Sequence, residues 1–128
     1  MRAHGRNRDA LFVIFAVTGG AWAWTLQLWL SWILAEPLCF LQPSGFRLAG
    51  LDSNALWILI GLATGALTLT ALLASFGLWR DTRESATADA PASRRRRFLS
   101  YVGLVLNALF LVTIVMGATS PLFLEPCT

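Results

Sequence analysis

The side chains able to do chemistry are few and far apart. The one histidine, His4, lies in a basic N-terminal stretch, and the two methionines are Met1 and Met116. A bis-histidine haem needs two imidazoles at or near membrane depth, so that ligand set is missing. Met116 alone reads as apolar filler rather than an axial ligand. No cysteine–histidine cluster has metal-binding spacing. No Ser–His–Asp triad can form with His4 as the sole base. There is no glycine loop of the kind that cradles phosphate. Catalytic, cofactor-binding and metal-ligating residues are therefore expected to number none, and the chain is read as non-enzymatic.

Two thiols remain, Cys39 and Cys127. They have similar surroundings, Glu36-Pro37-Leu38-Cys39 and Glu125-Pro126-Cys127, and no C-x-x-C that would mark a redox-catalytic pair. In an oxidising compartment they are expected to form one structural disulfide, the alternative being two free thiols. Closing so long a loop contributes at most about 4–5 kcal/mol in the chain-entropy picture.

The elements that hold these residues follow from hydropathy. The 128 residues are 56% hydrophobic and only 13% charged, with a mean hydropathy of +0.63. A soluble domain carries about 25% charged residues, so lipid is the expected solvent. Three apolar runs stand out, Ala10–Ala35, Leu56–Trp79 and Phe98–Ser120, and none contains Asp, Glu, Lys or Arg. Each exceeds the roughly 20 residues that cross a 30 Å hydrocarbon core. None alternates as barrel strands do. The expected fold is an all-α membrane protein of one domain with three transmembrane helices. Arg2, Arg6 and Arg8 ahead of an apolar stretch, with Ala21-Trp22-Ala23 beyond, resemble a signal peptide. The first run is longer than the ~7–15 residues of a signal h-region, so an uncleaved anchor is the better reading.

Every cation is arginine, which gives a net charge of +3 and a sequence pI of about 9.7. The arginines flank apolar runs, a topology pattern and not a nucleic-acid footprint. Arg2, Arg6 and Arg8 precede the first run. Arg80, Arg83 and Arg94–Arg97 lie between the second and third, against only Arg47 between the first two. The positive-inside rule then puts the N-terminus and the 80–97 loop in the cytoplasm. It puts the 36–54 loop, the C-terminus and both cysteines outside. The 80–97 segment reads as a polar linker whose middle, Glu84–Ser93, should be mobile. Its run Arg94, Arg95, Arg96, Arg97 is expected to attract anionic lipid headgroups. The 36–54 loop, with Pro37, Pro43, Gly45 and Gly50, is too short for a core and reads as turns on the membrane surface.

Helix faces give the remaining expectations. Gly61 and Gly65 form a G-x-x-x-G, with Ala71 and Ser75 extending the small-residue spacing, which allows close helix packing within the chain or between subunits. On the first helix Gly20, Trp24, Gln27 and Ser31 share one face, with Thr18, Trp22, Thr25 and Trp29 opposite. A buried amide needs a partner, so the Gln27 face should meet protein, with Asn107 as one candidate. Trp32, Trp57 and Trp79 sit near helix ends, as interface anchors do. Trp22, Trp24 and Trp29 lie deeper, either as lipid-facing bulk or as a docking surface for another protein.

The pattern Gly20, Trp24, Gln27, Ser31-Trp32 and Cys39, with Cys127 near the end, resembles one found in small membrane proteins encoded beside bacterial haem–copper terminal oxidases. In that pattern a His often stands where this chain has Gln27, and a Tyr where it has Trp32. The resemblance implies an accessory or assembly role beside a respiratory oxidase, with no redox chemistry in this chain. The expected function is a non-enzymatic accessory subunit of a larger complex in the bacterial inner membrane, its partners being lipid and a larger membrane complex, not nucleic acid. The alternatives are a homo-oligomeric channel or transporter lined by Thr64, Thr68 and Asn107, and a stand-alone assembly factor.

Orientation and disulfide are read together on the native thiols. In spheroplasts, an impermeant maleimide should label Cys39 and Cys127 only after an impermeant reductant has been added. Labelling without reductant rejects the bond, and labelling that requires lysis rejects the orientation.

Overall fold

Hydrocarbon offers the backbone no hydrogen-bonding partners, so an apolar run must satisfy its own amides, and helix is how a single segment does so. The computed structural model describes residues 2–41, 50–84 and 90–123. They fold as three helices, α1 (Arg2–Leu41), α2 (Ser53–Glu84) and α3 (Pro91–Phe123). Each holds a segment long and apolar enough to cross a membrane.

All three helices outrun the apolar runs that predict them. Extending an existing helix adds one hydrogen bond per residue fixed, so it continues into polar sequence until a stop signal. The 80–97 segment expected as a linker is a correction of this kind. Arg80–Glu84 belongs to α2 and carries an exposed 3.2 Å Arg80–Glu84 ion pair, and Pro91–Arg97 is the first part of α3. The start of α3 has a local cause. Proline suits the first helical position, where its missing N–H costs nothing, and the Ala90 carbonyl accepts from Arg94 N–H at 3.0 Å. In the same way α1 runs through Pro37 to Leu41, so the first six residues of the expected 36–54 loop are helical. Gly50, at φ +80°, sits in the left-handed region open to glycine. Asp52 then caps α2, its carbonyl accepting from Leu56 N–H at 3.1 Å. The Cys39 side chain, Cys127 and Arg47 lie outside the described residues.

Close approaches set the topology. Gly19 faces Ala71 and Ala16 meets Ser75, so α1 and α2 are antiparallel. Gly61 faces Ala118 while Gly103 faces Ser75, so α2 and α3 are antiparallel too. Gly20 meets Asn107 and Gln27 meets Ile114, so α1 and α3 run parallel. The N-terminus of α1, the C-terminus of α2 and the N-terminus of α3 thus share one end, which collects every described arginine.

The bundle is small and polar inside, large and apolar outside. Its buried side chains are Ala16, Ala23, Ala71, Leu56, Leu78 and Ile114 beside Gln27, Thr64, Thr68, Ser75, Thr82, Ser100 and Asn107. Leu62, Leu73, Leu109, Met116 and many others stand exposed. Between lipid and protein the hydrophobic effect gives no reason to bury leucine, so packing rests on close backbone approach and interhelical hydrogen bonds.

The two glycines of the G-x-x-x-G differ. A methyl group on Gly61 would overlap the Ala118 methyl on α3, whereas at Gly65 the nearest atom, Ile114 Cγ2, is 4.0 Å away. Gly61→Leu should therefore destabilise the bundle by about 1–3 kcal/mol, the usual cost of overpacking, with Gly65→Leu costing visibly less. Thermal unfolding in mild detergent compares them, and equal losses would contradict the assigned contact.

Candidate functional site

At the crossing of all three helices sits Asn107, fully buried on α3. Its Nδ2 donates to the Ala16 carbonyl at 2.6 Å and to Ser75 Oγ at 3.3 Å, and its Oδ1 accepts from Gly20 N–H at 2.8 Å. Ser75 Oγ in turn donates to the same Ala16 carbonyl at 2.5 Å. Ala16 C=O and Gly20 N–H are the two groups that close one turn of α1. The carboxamide of Asn107 engages both, as a neighbouring peptide unit would, and uses both of its N–H groups. The sequence makes this possible by omitting side chains. A Cβ on Gly20 would lie 2.5 Å from Asn107 Oδ1, and one on Gly103 would lie 2.8 Å from Ser75 Oγ and 3.1 Å from the Ala16 carbonyl.

Gln27 is also buried, at 6% exposure, yet it does not meet Asn107. Since α1 and α3 run parallel, Gln27 lies seven residues, or about 10 Å, further along the bundle than Gly20. Its Nε2 donates weakly to the Ile114 carbonyl at 3.3 Å beside Gly117, and its Oε1 has no partner among the described residues. The expected Gln27–Asn107 pair is thus replaced by two separate contacts at two depths.

Thr64 and Thr68 are buried and bond their own helix, Thr64 Oγ1 to Ile60 C=O at 2.8 Å and Thr68 Oγ1 to Thr64 C=O at 2.9 Å. Such back-bonding spends the single donor of each hydroxyl within its own helix.

The aromatic residues of α1 divide between its faces. Trp24 turns toward α3 and packs on Phe110 at 5.6 Å. Trp22 (70%), Trp29 (59%) and Trp32 (66%) stand exposed, Trp29 and Trp32 in an edge-to-face pair at 6.3 Å. Trp22 lies two residues from Gly20, so it sits within about 3 Å of the Asn107 level. Its indole N–H has no acceptor among the described residues. At the basic end Arg83 stacks over Trp79 at 5.3 Å, and Arg94, Arg95, Arg96 and Arg97 are exposed.

Among the described residues, no group of three His, Cys, Asp or Glu is placed to hold a metal ion. The chain matches no family model, no curated protein and no solved structure.

The two buried amides should respond differently to removal. Asn107→Leu strips hydrogen bonds from Ala16, Gly20 and Ser75 at once and should cost about 1–3 kcal/mol, the range for stranding buried polar groups. Gln27→Leu removes one weak hydrogen bond together with an acceptor that has no partner among the described residues, and should destabilise by no more than about 1 kcal/mol. Unfolding of both variants in detergent checks this ordering, and its reversal would contradict the hydrogen-bond assignment.

Proposed function

We propose that the chain is a non-enzymatic accessory subunit of a larger bacterial inner-membrane complex, docking through the outer face of α1. The carrying observation is Trp22, an exposed indole at the depth of the buried polar crossing, with no acceptor for its N–H among the described residues. An interfacial tryptophan reaches water with its N–H, whereas one at mid-depth finds no acceptor in hydrocarbon. Leucine would serve lipid as well. A tryptophan here suits a partner helix, because it buries a large area with few rotatable bonds and offers a donor. Trp29 extends the same side of the helix two turns on, and Trp32 completes it near the membrane surface.

The resemblance to proteins encoded beside haem–copper oxidases supports a respiratory complex as the partner. The arginine-bearing end of the bundle supports an orientation with that end in the cytoplasm and the C-terminus in the periplasm. An oligomeric pore finds less support. Thr64, Thr68 and Asn107 face into a single chain's bundle and spend their donors there. An assembly factor would use the same α1 face but leave the mature complex.

The Trp22→Leu/Trp29→Leu variant keeps the helix apolar, so it should insert normally and be lost from its partner during affinity purification. The absorbance spectrum of the co-purified material reports whether that partner carries haem. Full partner retention by the variant, or wild-type protein that associates only with itself, would overturn this reading.

A further inference from the structure

The arginine run at the start of α3 does not act as one uniform patch. Successive helical residues are turned by 100°, so Arg94, Arg95, Arg96 and Arg97 point in different directions. The burial pattern along α3 says which way each points. Ser100, Gly103 and Asn107 face the bundle. Arg96, four residues before Ser100 and seven before Gly103, is aligned with that packed side. Arg94 and Arg97 are aligned instead with Phe98, Tyr101, Val105 and Leu109, all exposed. Arg95 falls between the two faces.

Depth agrees with this division. Arg97 lies ten residues below Asn107 and Arg94 thirteen, or about 15–20 Å at the rise of an α-helix. Half the hydrocarbon core is about 15 Å, so with the three-helix crossing near mid-membrane both guanidiniums reach the headgroup layer. From Arg97 to Leu109 is about 18 Å, the depth of one leaflet. Among the described residues neither Arg94 nor Arg97 makes an ion pair or a side-chain hydrogen bond.

We propose that Arg94 and Arg97 form a binding site for the phosphate of an anionic phospholipid, whose acyl chain lies along Phe98, Tyr101, Val105 and Leu109. The spacing i, i+3 brings the two Cβ atoms within about 5–6 Å, so both side chains can close on one phosphodiester. Guanidinium is suited to this task, because its planar fork donates two parallel hydrogen bonds to phosphate oxygens. Tyr101 stands at the depth where a phenol packs against acyl chain and keeps its O–H in the wet layer. The site is independent of whether α1 docks a partner.

The test uses the full chain in detergent doped with phosphatidylglycerol or phosphatidylcholine, with bound lipid counted by native mass spectrometry. Two variants each remove two charges, R94Q/R97Q and R95Q/R96Q, and circular dichroism with thermal unfolding confirms that both fold. The wild type should retain phosphatidylglycerol in preference to phosphatidylcholine. R94Q/R97Q should weaken that retention on the order of tenfold, as expected for losing charge-assisted hydrogen bonds to one phosphate. R95Q/R96Q should keep most of it. Short-chain phosphatidylglycerol should displace the bound lipid, and inorganic phosphate at the same concentration and ionic strength should not. Equal losses in the two variants would reduce the effect to overall charge and overturn the proposal. So would a wild type without headgroup preference, or displacement by phosphate.

Discussion

One asparagine in the middle of a lipid-solvated bundle constrains everything around it. A carboxamide cannot be left unpaired in hydrocarbon without losing several kcal/mol. Asn107 meets that demand with one turn of α1 backbone and one hydroxyl of α2. Those partners lie on two other helices, so a single side chain fixes the register of all three. The contact also dictates where side chains are forbidden. Gly20 and Gly103 stand at the crossing because a methyl group would strike Asn107 or Ser75. Their small neighbours Ala16, Gly19 and Ala71 follow from the same close approach.

The inversion of inside and outside is a consequence of that arrangement. With most of the interior committed to small residues, hydroxyls and two amides, most of the leucines and aromatic residues have only the exterior left. Most of that exterior needs no explanation beyond lipid. Trp22 does, because its polar edge sits where lipid gives nothing back. The lower end of α3 does as well, because its charges are ordered by face. The two features point outward in different senses, one toward the proposed protein partner and one toward the proposed lipid site, and both are placed by the register that Asn107 sets.

The three helices were legible in the sequence because hydropathy is a local property. An unbroken run of more than 20 apolar residues admits one structure in lipid. The helix ends were less legible. Arg80–Glu84 and Pro91–Arg97 are polar, and composition does not separate a polar helix extension from a linker. The face of α1 that turns inward was also readable, since Gly20, Trp24 and Gln27 share it by spacing alone. Pairing was not readable. Choosing Gln27 as the partner of Asn107 followed chemistry, amide for amide. The register between α1 and α3 places Asn107 seven residues earlier, against backbone, and the chemistry of backbone is the same at every position. The glycine four residues before Asn107, Gly103, and the pair Gly19-Gly20 were the available signals for that crossing. They gain meaning only once the two helices are known to run parallel. For the cysteines, sequence context remains the sole argument.

An accessory role, a lipid-binding face and a tryptophan surface all presuppose a bundle locked by Asn107 in the membrane itself. The direct measurement is solid-state NMR of the chain in lipid bilayers. Labels are placed as ¹⁵N on the Asn107 side-chain amide and ¹³C on the Ala16 carbonyl, and the heteronuclear dipolar coupling reports their separation. The nitrogen-to-oxygen hydrogen bond of 2.6 Å predicts a strong coupling between the labelled atoms, and Asn107→Leu provides the blank. A coupling too weak for any hydrogen bond, with the nitrogen beyond about 3.5 Å of the Ala16 oxygen, would show that the helices meet in another register and would contradict the account.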